Sequence, residues 1–372
     1  MNGIRIIGNG GEAYETLKKH IRKAETSILI NVFIWRDDAY CRRLAEELVS
    51  AADRGVRITV SADQDGVVLE KAEESMKSLF HEQMSLKERL SVAVLKKGYP
   101  NNTKTEDDAV NGSALYKKLL DHPNVTLDIA RRKSDHSKYY LFDERILLMG
   151  GVNIEQKEFD RDSAGRFYKD YLIEISDKDM ITAFLNRLRS GAAPSGTDAC
   201  PYRINRKQPE RIFELESHYL QLIEAAGEEL LIAMAYFGPV KELVKAITDA
   251  SDRGVRVTVI LPAYANYMDD MNKLTASELV RRSGGRITVR WAGCMLHAKV
   301  IVSDNSVSVG SCNITHRSLT KLDELNYYSA DPAFAEEMKK DLSGFIDSVC
   351  LTDDTAVKKY NIIKAVMECL FS

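Results

Sequence analysis

AADRGVRITV at residues 51–60 and ASDRGVRVTV at residues 250–259 are near copies of one another within a single chain. Each is preceded by apolar residues at helical spacing, over Cys41–Ala52 in the first copy and Val240–Ala250 in the second. Each passes through Arg-Gly-Val-Arg, where the glycine reads as a helix C-cap and the β-branched alternation behind it as a strand. Further upstream lie SILINVFIW (27–35) and LLIAMAYF (230–237), short and β-prone enough to be buried strands. An internal repeat of strand, helix and strand is the signature of a duplication.

A second pair follows downstream, DHSKYYLFDERILLMGGVN (135–153) and LHAKVIVSDNSVSVGSCN (296–313). Each reads as strand, tight turn, strand and small-residue loop. The first landmarks are 199 residues apart and the histidines 161, so the first half carries 38 extra residues, in the charged, helix-prone stretch 69–120. That excursion is either plain surface or a lid that selects substrate. Strands alternating with amphipathic helices predict an α/β fold: a duplicated α-β-α sandwich, its two halves related by a pseudo-twofold and facing one another across the active site. The expected boundaries are 1–190 for the N-terminal half, 191–208 for a linker rich in Gly, Pro and Ser, 209–350 for the C-terminal half and 351–372 for an amphipathic tail.

The chemistry concentrates in the second pair. His136, Lys138, Asp143, Gly150, Gly151 and Asn153 are answered by His297, Lys299, Asp304, Gly310, Ser311 and Asn313. Residues i and i+2 of a strand share a face, so each His and Lys project together, and the returning strand brings the asparagine alongside. An imidazole, an ammonium and a carboxamide around one point suit a tetrahedral phosphate: the imidazole attacks while the other two hold non-bridging oxygens. A lone His-x-Lys arises readily by chance; two copies in register inside halves that already repeat do not.

These paired motifs resemble those of the phospholipase D superfamily with two HKD motifs, and are most like the bacterial cardiolipin synthase branch. GCMLHAKVIVSDNSVSVGSCNITHRS (293–318), AYFGP (235–239) and YKDYLIEI (168–175) all carry the likeness. The turn of the second motif is one residue shorter, with five rather than six residues between Asp304 and Gly310. The resemblance implies phosphatidyl transfer or phosphodiester hydrolysis on phospholipids through a covalent phosphohistidine, with His136 as nucleophile and His297 as acid and base. It also implies a carboxylate on the second nitrogen of each ring, and the matching positions are Asp170 and Glu324. Asp143 and Asp304 are expected to hold their loops through backbone hydrogen bonds. Tyr139, Gly151, Tyr236, Phe237 and Ser311 are expected to bind substrate. Neither a metal nor another cofactor is expected, since two lysines and two asparagines offset the phosphate charge.

Composition narrows the partners. Lys and Arg total 52 against 55 Asp and Glu, a net charge of −3, which disfavours a nuclease tracking a phosphate backbone; that reading stands as the alternative. Six cysteines without a CxxC pair are expected to be reduced thiols, not a zinc site. No apolar run approaches the ~20 residues that cross a bilayer. The expectation is therefore a cytoplasmic protein, peripheral to the inner face of the membrane, docking on lipid from the aqueous side. With both motifs on one chain, a monomer suffices. The tail VKKYNIIKAVMECLF (357–371) has an apolar helical face suited either to a membrane interface or to packing on the body. His20, His81, His122 and His218 join no constellation and are expected at the surface.

Overall fold

The computed structural model describes residues 3–74, 79, 86–95, 113–130, 134–162, 165–190, 200–209, 211–352 and 357–372. Two compact units emerge. The N-terminal unit comprises residues 3–168 and 172–181; the C-terminal unit comprises residues 182–372 and the short segment Lys169–Tyr171.

In the N-terminal unit the strands are β1 (Ile4–Ile7), β2 (Ser27–Val32), β3 (Arg57–Asp63), β4 (Val125–Ala130), β5 (Tyr139–Phe142) and β6 (Ile146–Gly150), with β7 (Tyr168–Lys169) and β8 (Leu172–Ile175) around the segment that changes unit. Its seven-stranded sheet runs β1-β8-β6-β5-β2-β3-β4. The C-terminal unit has β9 (Tyr202–Arg206), β10 (Ile212–Phe213), β11 (Glu229–Met234), β12 (Arg256–Pro262), β13 (Thr288–Ala292), β14 (Met295–Leu296), β15 (Lys299–Ser303), β16 (Ser306–Gly310) and β17 (Glu324–Ser329). Its eight-stranded sheet runs β10-β9-β17-β16-β15-β11-β12-β13. Setting aside the edge strand β10, the two orders are the same, so the fold is the duplicated α/β architecture that the repeats imply. In both, three consecutive strands pair in parallel (β2-β3-β4 and β11-β12-β13) and the motif hairpin pairs antiparallel beside them.

The helices are α1 (Gly10–Lys23), α2 (Ala39–Asp53), α3 (Gln64–Glu74), α4 (Leu86–Leu95), α5 (Ser113–Asp121), α6 (Gln156–Phe159), α7 (Lys178–Ser190), α8 (Leu215–Ala225), α9 (Lys241–Asp252), α10 (Asp269–Arg282), α11 (His316–Thr320), α12 (Pro332–Val349) and α13 (Ile362–Phe371). The repeated Arg-Gly has a defined job in both units. Gly55 and Gly254 take φ of 93° and 92° and end α2 and α9, a conformation that costs glycine nothing. The preceding arginine reaches back to the neighbouring helix. Arg54 Nη2 donates to the carbonyls of Ile21 and Arg22 at the end of α1, and Arg253 Nη2 to those of Ile223 and Glu224 at the end of α8. The last carbonyls of a helix have no partner within it, and a guanidinium there satisfies them while opposing the negative end of the dipole.

The extra residues of the first half fall between β3 and β4, where the second half has only α10; the described part of the excursion is helical (α3, α4 and α5), and 75–78, 80–85 and 96–112 lie outside the described residues. Of the stretch read as a linker, 191–199 is likewise outside, but Tyr202–Arg206 is strand β9, paired with β17. Its Gly- and Pro-rich flank hid a strand whose Asn205 is buried, with its side chain donating to the carbonyls of Ser318 and Leu319.

Candidate active site

Each motif begins where its strand begins. Lys138 and Lys299 are buried, and each ammonium donates back to the carbonyl of the histidine two residues earlier, at 2.5 Å for Lys138 and His136. That contact fixes each lysine side chain, while strand alternation sets the histidine two residues earlier on the same side of the chain. The asparagines are oriented the same way in both units. Asn153 Oδ1 accepts from Ile34 N and Asn313 Oδ1 from Tyr236 N, each at 3.2 Å. With its oxygen committed to a backbone N–H, each carboxamide presents its NH2 group, a donor suited to an anion.

The one-residue difference between the motifs is absorbed in the hairpin tip. Phe142 pairs with Ile146 across three residues, and Ser303 with Ser306 across two. Gly310 and Asn313 therefore hold places equivalent to their counterparts. Glycine is required at 310, because a Cβ there would lie 2.2 Å from the Leu325 carbonyl on β17.

Asp143 and Asp304 occupy those tips with φ of 53° and 47°. Asp304 accepts from the backbone N–H groups of Gly227, Glu228 and Glu229 at 2.7–3.0 Å, and Asp143 from those of Glu25, Thr26 and Ser27. Burial pushes both carboxyls up, but the backbone donors outweigh it and hold them below the ordinary carboxylate range. They tie the hairpin to the strand beside it. Replacing Asp304 with Ala is expected to cost about 2–4 kcal/mol, from three lost charge-assisted bonds. Turnover per folded molecule should stay near wild type; urea denaturation and active-site titration check both halves of that statement.

The second histidine has its carboxylate. Asp170 Oδ2 stands 2.8 Å from His297 Nδ1 and 3.4 Å from Lys299 Nζ, all three buried. The Lys169 carbonyl accepts from His297 N and Ala298 N at 2.8 and 3.0 Å, which locks the segment Lys169–Tyr171 against the motif. Burial alone would raise the Asp170 carboxyl; Lys299 and His297 outweigh it and hold it below its ordinary value. A carboxylate on Nδ1 fixes the ring's tautomer and leaves Nε2 for proton transfer. So Asp170, which follows the first motif in the chain, serves the histidine of the second. Glu324, the first residue of β17 after the second motif, is buried and accepts from Ser311 Oγ at 2.5 Å.

The remaining predicted binding residues divide. Tyr236 packs edge-on to the His297 ring, with centroids 6.4 Å apart, and its hydroxyl donates to Asn266 Oδ1 at 2.7 Å. Phe237 is wholly buried in the core of its unit, so alternation carries it away from the site. Ser311 is also wholly buried, its hydroxyl engaged by Glu324. Tyr139 follows Lys138 directly, and strand alternation turns it to the opposite face. Gly151 lies buried in the loop after β6.

Several positioning residues escaped the sequence reading. Asn31 on β2 donates to the Ser137 carbonyl at 2.9 Å, and Asn272 on α10 brackets the Tyr236 loop, accepting from Phe237 N and donating to the Ala235 carbonyl. A polar residue inside an apolar run was the available signal for Asn31. Beside His136, Asp63 Oδ2 accepts from Asp135 N at 2.8 Å, and burial pushes the Asp63 carboxyl up to about 7. His20 and His218, expected at the surface, are buried. His20 pairs with Glu174 at 2.8 Å, whereas His218 is pushed down to about 3 by burial and stacks edge-on against Tyr328. His122 is partly buried, 3.3 Å from Asp53, and His81 lies outside the described residues.

A duplicated α/β fold with one His-Lys-Asn set at the head of each motif hairpin defines the phospholipase D class. A family model described as "Cardiolipin synthase, PLD-like domain" matches residues 17–190 and 219–346. The chain belongs to this family, and it is an enzyme of the phospholipase D superfamily. It is 25% identical to Cardiolipin synthase B of Escherichia coli (strain K12) over 98% of this chain and 86% of that one. Against Minor cardiolipin synthase ClsB of Bacillus subtilis (strain 168) it is 23% identical, over 90% and 79%. Among solved structures, phosphatidylserine synthase of Haemophilus influenzae Rd KW20 matches 99% of this chain and 92% of its own at a TM-score of 0.69 and 15% identity, a likeness of fold.

Proposed function

We propose that the protein is a phosphatidyl-transferring enzyme acting on phospholipids, by cardiolipin synthase-like transfer to an alcohol acceptor, with hydrolysis when water takes the acceptor's place. The observation that carries this reading is the buried Asp170–His297–Lys299 cluster, an imidazole held by a carboxylate that an ammonium also faces. In the first step His136 Nε2 attacks phosphorus; a P–N bond forms, the P–O bond to the leaving alcohol breaks, and protonated His297 gives its proton to that oxygen. In the second, neutral His297 takes the proton of the incoming hydroxyl as its oxygen attacks, and the P–N bond breaks to free His136. Lys138, Lys299, Asn153 and Asn313 hold the non-bridging oxygens, where charge builds in both transition states. Names and fold of the relatives support a lipid substrate, and the net charge of −3 supports it over nucleic acid. Among the described residues no helix is long and apolar enough to cross a membrane, which fits peripheral action at the inner face.

Incubation with a mixed bacterial lipid extract, with and without a short alcohol, is expected to yield new phosphatidyl esters by mass spectrometry, and phosphatidyl-alcohol only when the alcohol is present. Cleavage of single-stranded DNA with inert lipid would reverse the reading in favour of a nuclease.

A further inference from the structure

α13 is amphipathic in the reverse of the usual sense. A terminal helix that packs for stability turns its apolar face inward. Here, among the described side chains, the inward face is small and polar. Ala365 is buried, Asn361 N donates to Asp270 Oδ1 at 2.7 Å, Lys364 Nζ pairs with Asp270 at 3.0 Å, and Glu368 Oε2 accepts from Met271 N at 2.8 Å. All three contacts fasten α13 to the start of α10. The outward face is apolar: Ile362, Ile363, Val366, Met367 and Leu370 are exposed by 54, 73, 49, 54 and 78%. Their spacing of i, i+1, i+4, i+5 and i+8 makes one continuous stripe.

We propose that this stripe docks the enzyme on an anionic phospholipid surface. The charge around it fits that occupant. Lys358 and Lys359 are exposed just before the helix, and within residues 357–372 the one carboxylate side chain is Glu368, which is buried and engaged by α10. Apolar insertion beside exposed lysines is the physical recipe for an interfacial helix on anionic lipid. The helix that carries the stripe ends close to the second motif. A Cβ placed on Gly238 would meet Met271 Sδ of α10 at 3.3 Å, the Ile314 carbonyl at 3.5 Å and Ser372 Oγ at 3.7 Å. The end of α13 thus borders Gly238, whose N–H donates to the carbonyl of Ile314, the residue that follows Asn313, at 2.7 Å. Through Asn272, α10 also holds both neighbours of Tyr236, the ring against His297. A bilayer seated on α13 therefore lies one helix away from the catalytic imidazole. The choice of a lipid surface rests on the phospholipid reading above.

The test uses the full chain and the double variant Ile363→Glu with Leu370→Glu, whose positions are the two most exposed of the stripe. Binding is measured by co-sedimentation with vesicles of phosphatidylglycerol and phosphatidylcholine, and of phosphatidylcholine alone. Wild type is expected to bind the anionic vesicles, more weakly as salt rises, and the double variant to bind them at least tenfold more weakly. The variant should keep the wild-type melting temperature and the wild-type rate on short-chain phosphatidylglycerol below its micelle concentration. Equal vesicle binding by the two proteins would overturn the proposal. So would a wild-type dimer that the variant disperses in sedimentation velocity while vesicle binding is untouched, since the stripe would then be a self-interface. Vesicle binding lost in the variant, with no phospholipid turned over by either protein, would uphold the docking face and defeat the substrate reading instead.

Discussion

His136→Ala is expected to abolish turnover, by about 10⁴-fold or more, and with it any covalent intermediate, because it removes the imidazole that forms the P–N bond. His297→Ala should separate the two steps. With an activated leaving group such as nitrophenolate, departure needs no proton, so attack by His136 proceeds and the phosphoenzyme accumulates. Its breakdown needs a base for the incoming hydroxyl and should stall. The expected record is one equivalent of nitrophenolate released in a burst, with radiolabel retained on the His297→Ala protein and none on the His136→Ala protein. Labelling of the His136→Ala protein at wild-type yield would exchange the two roles.

The second large effect is expected at Asp170. Asp170→Asn keeps the shape and removes the charge that faces His297 Nδ1 at 2.8 Å and Lys299 Nζ at 3.4 Å. Loss of the orienting carboxylate of a catalytic imidazole costs about 10²–10⁴-fold in kcat, through the wrong tautomer and an unsupported imidazolium. The sign of the pH effect follows from the pair. Asp170 stabilises the protonated ring, so without it the form of His297 that protonates the leaving group is lost at lower pH. The alkaline limb of the kcat profile should therefore move down, a change that a loss of packing alone would not produce. Stability has its own signature. The Asp170 carboxyl is held below its ordinary value in the fold, so its contribution is present above about pH 4 and is lost as pH falls through the folded value. Asp170→Asn should flatten that acid dependence and, by leaving Lys299 buried against a neutral amide, cost about 3–5 kcal/mol at neutral pH. Thermal melts from pH 3 to 7 read both. An unchanged alkaline limb would assign Asp170 to structure only.

Much of this was legible in the chain because duplication doubles the signal. Arg54-Gly55 and Arg253-Gly254 mark the same helix end twice, and the two motifs share spacing to within one residue. Local rules are enough for such features: a glycine at positive φ ends a helix, and alternation sets a histidine and a lysine on one side of a strand. Phe237 shows where such rules need the tertiary frame, since it is wholly buried in the core of its unit. Its neighbour Tyr236 does face His297, but one residue along the chain reverses the direction of a side chain, and no composition argument detects that.

Sequence alone determined the duplicated α/β architecture, the two His-Lys-Asn sets and the aspartates that staple their hairpins, since each depends on neighbours a few residues away or on a repeat. Tertiary structure decided which carboxylate meets the His297 imidazole. Asp170 lies 127 positions before His297, and only the crossing of Lys169–Tyr171 into the C-terminal unit brings them to 2.8 Å. It also decided the direction of α13, whose periodicity defines a face but not the side on which that face lies. Three polar contacts to α10 turned its hydrocarbon outward.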